Sequence, residues 1–339
     1  MARERKKSMK SQAVRLAALA DSAPVDWLLE GEAFVRYRTL TDLQGRSEED
    51  AAVQSAARAL LRDQRVRKIL KSRNRKGYWG GPDDIFKWWP KKDTTFWVLG
   101  VLADFGLSRS TAAIAKACEY VLSTQLPSGA FGWAPPPTPA DCFTGILMQA
   151  LAKLGYGDDP RLLRAYDWMT DRVRLDGGVW CKKTGLPGGP REAEPSCAYG
   201  TLCVLGALVQ HPEYRDGEEA KRAAAFLLGC WENRGKIKYA GHDSAVGRGW
   251  SALKYPFTDY KILNYLDTMT LVKPVLQDAR MLEMASVLAE KADPDSRFSA
   301  GSIHKAWSDF DFGQKRSPSR WISLLAYRIF KRLAQVRDP

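Results

Sequence analysis

One pattern recurs along this chain and constrains it more than any other feature. It reads Lys116-Ala117, Tyr120-Val121, Gln125, Gly129, Phe131. A copy beginning at residue 164 reads Arg164-Ala165, Trp168-Met169, Val173, Gly177, with Trp180 close behind. Another beginning at residue 222 reads Arg222-Ala223, Phe226-Leu227, Trp231, Gly235, then Ile237 and Tyr239. Two degenerate copies flank these: Arg65, Ile69-Leu70, Gly77-Tyr78-Trp79, and Met284-Ala285, Leu288, Phe298. A recurring unit of this length cannot bury its apolar face alone, so successive copies must pack on one another.

The pattern has a mechanical meaning. A basic residue, an aromatic four positions on and an apolar neighbour share one face of a helix. The glycine after the helix permits a tight turn. The aromatic beyond it folds back and plugs the gap to the next unit. Between these helices lie segments that are apolar nearly all round: Thr95 to Phe105, Phe143 to Leu154, Ala198 to Leu208, Asp259 to Met269 and Trp321 to Leu333. Such helices belong in a core. The expectation is five outer–inner helix pairs. N-terminal helices at about Met9 to Ala20 and Ser47 to Leu70 would complete a sixth. An open solenoid carries polar caps at its ends. The last unit here ends in Trp321-Ile322-Ser323-Leu324-Leu325, which favours closure. Short strands after the glycine turns are allowed for, but no core sheet is expected. The chain divides into a basic N-terminal tail or helix, residues 1–20, and one domain, 21–339.

The Lys116 copy resembles, position by position, the QW-type repeat of squalene and oxidosqualene cyclases. The resemblance covers about Arg65 to Leu333. It places the chain beside the squalene-cyclase and protein-prenyltransferase superfamily, as a small single-ring relative. It implies an all-α (α/α) toroid of five to six hairpins, an apolar central cavity and an isoprenoid substrate. Departures weigh against carrying the chemistry across. Class II cyclases protonate their substrate with the middle Asp of a D-x-D-D motif. Here Asp83-Asp84 and Asp158-Asp159 lack the upstream acid, and Asp309-Phe310-Asp311-Phe312 lacks the last one. The D-D-x-x-D magnesium motif of class I enzymes is absent too.

Aligning the inner-helix starts puts Asp93, Cys142, Cys197, Thr258 and Ser319 in one column. Cys181 follows the Gly177-Gly178-Val179-Trp180 turn between the two cysteine positions. Three converging thiols suggest zinc, with His242, Asp93 or water as the fourth ligand; under the family resemblance Asp141, beside Cys142, would supply the carboxylate. The family resemblance points the same way, because prenyltransferase β subunits hold zinc through Asp, Cys and His. The family's D-x-C-Y spacing is not reproduced at Cys197. The alternative is inert thiols, which Cys118, Cys203 and Cys230 are expected to be. Asp93 and Asp141 are the catalytic candidates.

The net charge is +13. Solvated helix faces explain it as a matter of course. The sharper reading is a diphosphate, held by Lys87 beside Trp88 and Trp89, and by Arg234 and Lys236, with Lys238, Arg248, Lys254 and Tyr260 close by. His304 is expected to be structural. The partners expected are an isoprenoid or other hydrophobic small molecule, a helical protein partner, or peripheral contact with a membrane. Nucleic acid is not expected, since no zinc-finger or RNP-type motif is found. Without an apolar run of about 20 residues or a signal-type segment, the expected location is the cytoplasm. Two functions stand: an enzyme on an isoprenoid (diphosphate), or a non-catalytic toroid that binds a hydrophobic ligand or a partner.

Overall fold

A computed structural model of the chain describes residues 2–84, 87, 92–133, 136–180, 195–237, 239, 246, 247 and 249–335; for residues 2–10 and 133 it describes the backbone alone. It contains two compact units, Met1–Leu60 with Val246–Pro339, and Leu61–Ala245. Fifteen α-helices are described: α1 Ala2–Asp21, α2 Val25–Leu29, α3 Ala33–Arg38, α4 Ala51–Arg62, α5 Gln64–Lys71, α6 Thr95–Phe105, α7 Ala112–Leu122, α8 Asp141–Leu151, α9 Pro160–Thr170, α10 Ala198–Leu208, α11 Pro212–Arg215, α12 Glu218–Glu232, α13 Ile262–Met269, α14 Ala279–Ala289 and α15 Arg320–Ala334. The fold class is the expected one, an all-α (α/α) toroid. Among the described residues one strand pair occurs, Gly132–Trp133 with Thr138–Pro139. No described helix is long and apolar enough to cross a membrane.

The two helix types sort as their residues dictate. Every residue of α10 is buried. On α9, by contrast, Leu162, Ala165, Tyr166 and Met169 are buried, a stripe at helical spacing. Three boundaries differ from expectation for local reasons. The segment from Ser47 to Leu70 breaks at Asp63, whose side chain caps α5 by accepting from Arg65 N and Val66 N. The helix expected from Asp259 starts at Ile262, because Ile262 N donates to the Trp250 carbonyl instead. The helix expected to run to Leu154 ends at Leu151 and widens into a π-turn, Ala152–Tyr156.

The repeat glycines have a physical reason in the unit Leu61–Ala245. Gly77, Gly129 and Gly177 have φ of 119°, 93° and 86°. A Cβ on them would lie 2.6, 2.6 and 2.3 Å from the carbonyl oxygens of Lys116, Arg164 and Arg222. Those are the first residues of the next copies of the pattern. Each glycine thus seats one unit on the outer helix of the following one. The turns share one hydrogen-bond pair, as in Gly129 N to Leu126 O (2.9 Å) and Leu126 N to Ala130 O (2.9 Å). The same pair closes Asp293–Arg297, where Ser296 occupies the glycine position with φ 60°.

Two side-chain devices complete the joint. Gln125 Nε2 donates to Gly129 O (2.8 Å) and Arg161 O (2.6 Å), and Arg222 donates to the carbonyls of Val173 (3.0 Å) and Arg174 (2.7 Å). These satisfy backbone acceptors at helix ends and turns. In four of the five inner helices a hydroxyl early in the helix then takes up the backbone of the residue just beyond the turn. Trp79 N donates to Thr95 (2.9 Å), Phe131 N to Thr144 (3.1 Å), Val179 N to Thr201 (3.0 Å) and Phe298 N to Ser323 (2.9 Å).

Candidate functional site

In the unit that contains α13 and α15, the segment before α15 is folded by two single turns, Lys305–Trp307 and Asp311–Gly313. Gly313 lies so close to the Trp307 carbonyl that a Cβ would be 2.1 Å from it. This tight fold gathers aromatic rings at the start of α15. Phe34 meets Trp321 at 5.2 Å and Phe310 at 6.0 Å; Phe310 stacks on Phe312 at 5.2 Å. Tyr255 meets Phe312 at 4.9 Å and Trp321 at 5.4 Å, and Trp307 meets Phe310 at 5.7 Å.

Asp311 lies between Phe310 and Phe312 in this turn and is partly exposed as a residue. Its Oδ2 accepts from Ser319 Oγ (3.0 Å) and Trp321 N (3.1 Å), which fixes the carboxyl against the N-terminal end of α15. Its Oδ1 is sealed from solvent and has no hydrogen-bond partner among the described residues. Burial, with the Glu32 carboxylate adding to it, pushes the acid up to about 6. The bonds from Ser319 and from the backbone N–H groups of Trp321 and Arg320 oppose that rise. The result is a carboxyl held by one oxygen, bare at the other and readily protonated. Trp307 Nε1 is likewise buried and has no partner among the described residues.

A second polar group lies before α13. Thr258 Oγ1 and His304 Nε2 are 2.6 Å apart, and Asp259 Oδ2 is 3.9 Å from the same nitrogen. Lys254 Nζ pairs with that carboxylate at 2.5 Å. One nitrogen faces both hydroxyl and carboxylate, so the three do not form a relay of the Ser-His-Asp kind, in which the acid orients the opposite ring nitrogen.

The residues singled out from sequence fall as follows. Asp141 is 8% exposed and ion-paired to Arg172 Nε at 3.0 Å. Cys142 follows it in the first turn of α8. Cys197 caps α10, its sulfur accepting from Gly200 N at 3.2 Å, and its N–H donates to Val179 O, which brings it beside the glycine turn as expected. Burial drives the Cys203 thiol well above its usual range, and Cys142 adds to the rise. Asp93 is exposed. Lys87 is exposed and paired with Asp84 at 2.9 Å. The Arg234 guanidinium stacks 3.9 Å above the Trp231 ring and donates to the Trp231 carbonyl, while Lys236 is exposed. Tyr260 is buried edge-on to Tyr265. Cys181, His242, Trp88, Trp89, Lys238 and Arg248 lie outside the described residues. Among the described residues, no three of His, Cys, Asp and Glu gather as metal ligands. Cys142 and Cys197 alone do not make a zinc site.

Asp311 was visible in the sequence only as an incomplete acidic motif. Its isolation comes from the fold around it. Ser319, the last member of the helix-start column, bonds it directly.

No family model matches the sequence, and no curated protein matches it. Solved structures do resemble it. A polysaccharide lyase aligns over 96% of this chain and 97% of its own, with a TM-score of 0.50 at 11% identity. A type II terpene cyclase from Scytonema aligns over 96% of this chain and 98% of its own, with a TM-score of 0.45 at 15% identity. A GH76 α-mannanase from Bacteroides thetaiotaomicron aligns over 91% and 87%, with a TM-score of 0.45 at 12% identity. At these identities the likeness is one of fold, and function must be argued from the site.

Proposed function

We propose that the chain is a terpenoid-cyclase-like protein that takes a hydrophobic isoprenoid among the rings at the start of α15, with Asp311 as its proton donor. The single observation that carries this is the state of Asp311. One oxygen is fixed, the other is sealed from solvent without a partner among the described residues, and burial raises the acid to about 6 between Phe310 and Phe312. A neutral carboxyl without an acceptor for its proton is a better acid toward an apolar partner than one already hydrogen-bonded. In the step, the O–H bond of Asp311 breaks and the alkene π pair forms a C–H bond. A cation remains on the neighbouring carbon and a carboxylate on Asp311. Aromatic faces stabilise such a cation. Loss of a proton from the cyclised cation leaves an isomer of the substrate.

The test is to incubate the purified chain with all-trans isoprenoids of three and four units, as alcohols and as diphosphates, and to seek isomers of unchanged mass. Asp311→Asn should abolish them. No isomer from any substrate, together with an Asp311 that ionises as an ordinary carboxylate, sinks the proposal.

Zinc at Cys142, Cys181, Cys197 and His242 is a separate part of the proposal, and no step depends on it. Its support is the pairing of Cys197 with Val179 at the glycine turn. A second reading, ligand binding without chemistry, is favoured by the direct ring-to-ring contacts around Asp311, which a bound molecule would have to part.

A further inference from the structure

We propose that Ser319 is a positioning residue for Asp311: its hydroxyl holds Oδ2 as an acceptor and so places the acid's proton on Oδ1. This rests on the proposed role of Asp311 and deepens it, by naming the oxygen that acts and the side chain that selects it. Every polar group of Ser319 is engaged. Its N–H donates to the Phe298 carbonyl (2.8 Å), and its own carbonyl accepts from Ser323 N (2.9 Å). Its Oγ caps α15 by accepting from Ile322 N (3.1 Å), and the hydroxyl proton goes to Asp311 Oδ2 (3.0 Å). Ser319 and Ile322 are both fully buried. Turning Oγ away would leave the Ile322 N–H unbonded, at a cost of about 1–3 kcal/mol, so the direction of the hydroxyl is fixed.

Trp321 N, in the first turn of α15, donates to the same carboxyl oxygen (3.1 Å). First-turn N–H groups have no acceptor within their own helix. Oδ2 thus receives two donors from one helix end, and a proton on it would have to displace one of them. Oδ1 is sealed from solvent and receives no donor among the described residues. A neutral carboxyl has one O–H and one C=O, and the C=O oxygen is the one that accepts. The acid is therefore Oδ1–H, with Oδ2 as its carbonyl. Arg320, between the two donors in sequence, sends its guanidinium to the Trp27 carbonyl (2.7 Å) and to Glu30 (3.3 Å). Both donors at Oδ2 are neutral groups, so the acid keeps its proton while bonded to them. Once the proton has left, the same two bonds strengthen, because their acceptor is then charged.

The experiment is infrared difference spectroscopy of the full chain, with isotope-labelled aspartate carboxyls, across a titration; the Asp311 band is the one missing from Asp311→Asn. The C=O band of a protonated carboxyl falls in frequency as its oxygen accepts hydrogen bonds. The parent band should be that of a hydrogen-bonded carbonyl. Ser319→Ala and Ser319→Gly should move it to higher frequency, and Ser319→Thr, which keeps the hydroxyl, should restore it. Glycine serves well as an N-cap, so it separates the lost hydroxyl from a frayed helix. In the alanine and glycine variants the midpoint of the band should rise above the parent value near 6 by about one pH unit, since a bond to the carboxylate is lost. Mere loosening of α15 would admit water and lower it. A parent band at the frequency of an unbonded carbonyl, or a band and midpoint unmoved in the folded variants, overturns the role of Ser319 and leaves Asp311 as proposed. A parent midpoint in the ordinary carboxylate range overturns both.

Discussion

Alanine substitutions at three glycines separate the two costs that the repeat imposes. At Gly129 the backbone has φ 93° and a Cβ would sit 2.6 Å from the Arg164 carbonyl. The left-handed conformation costs an L-residue about 1–2 kcal/mol. Forcing a methyl group into packed backbone adds about 1–3 kcal/mol. Gly129→Ala should therefore lose roughly 2–5 kcal/mol, a large share of a domain's stability. Gly235 has φ 75° but nothing within 4 Å of a Cβ among the described residues, so Gly235→Ala should lose only the first part, about 1–2 kcal/mol. Gly229 lies inside α12 with nothing among the described residues within 4 Å of a Cβ, and Gly229→Ala should gain about 0.5–1 kcal/mol. Urea denaturation followed by circular dichroism reads all three, provided the slope is unchanged. The reasoning is refuted if Gly129→Ala costs no more than Gly235→Ala, because the seat on the next unit would then carry no energy.

Other outcomes follow from the same structure. Ser296 holds the glycine position at φ 60°, so Ser296→Gly should raise stability by about 1 kcal/mol in the same denaturation assay. Asp267 accepts from Arg328 at 2.9 and 2.8 Å and from Arg332 at 2.9 Å; Asp267→Ala should cost about 1–3 kcal/mol, because Arg328 keeps its pair with Asp42 at 2.9 Å while the partly exposed Arg332 loses its carboxylate. Asp311 binds its proton more tightly folded than unfolded, so its contribution is favourable below about pH 4 and is lost as pH rises through 6. The loss approaches 3 kcal/mol in magnitude. The stability difference between parent and Asp311→Asn should shift by about that much between pH 4 and 8, and a constant difference would argue against a raised acid. Asp42, held near 2 by Arg38 and Arg328 despite burial, works oppositely: its contribution is present above about pH 4 and lost as pH falls toward 2. For the proposed zinc, metal analysis should find about one equivalent per chain that disappears in Cys142→Ser and Cys197→Ser, and a metal-free parent removes the site.

Much of the architecture could be read from the chain because it rests on local signals that repeat. The runs Thr95–Phe105 and Ala198–Leu208 coincide with α6 and α10, since a helix apolar on all sides has no alternative to burial. The glycines were legible as turn residues, though not their second duty of meeting the next unit's carbonyl, which is a contact across 35 to 45 residues. The hydroxyl staples of Thr95, Thr144, Thr201 and Ser323 were missed because a lone Thr or Ser in an apolar run gives no periodic signal. The helix-start column contains Ser319, whose hydroxyl bonds Asp311, but a serine at a helix start carries no signal that an acid eight residues upstream depends on it. Asp311 looked like a broken motif, because its character depends on rings from Phe34 to Trp321 that only the fold assembles.

The most direct test of the central claim is isoprenoid turnover in deuterated water. If Asp311 delivers the proton that starts the reaction, each cyclised product should carry one deuterium at the protonated carbon, and Asp311→Asn should yield none. Product lacking deuterium, or product formed at an undiminished rate by Asp311→Asn, would contradict the claim.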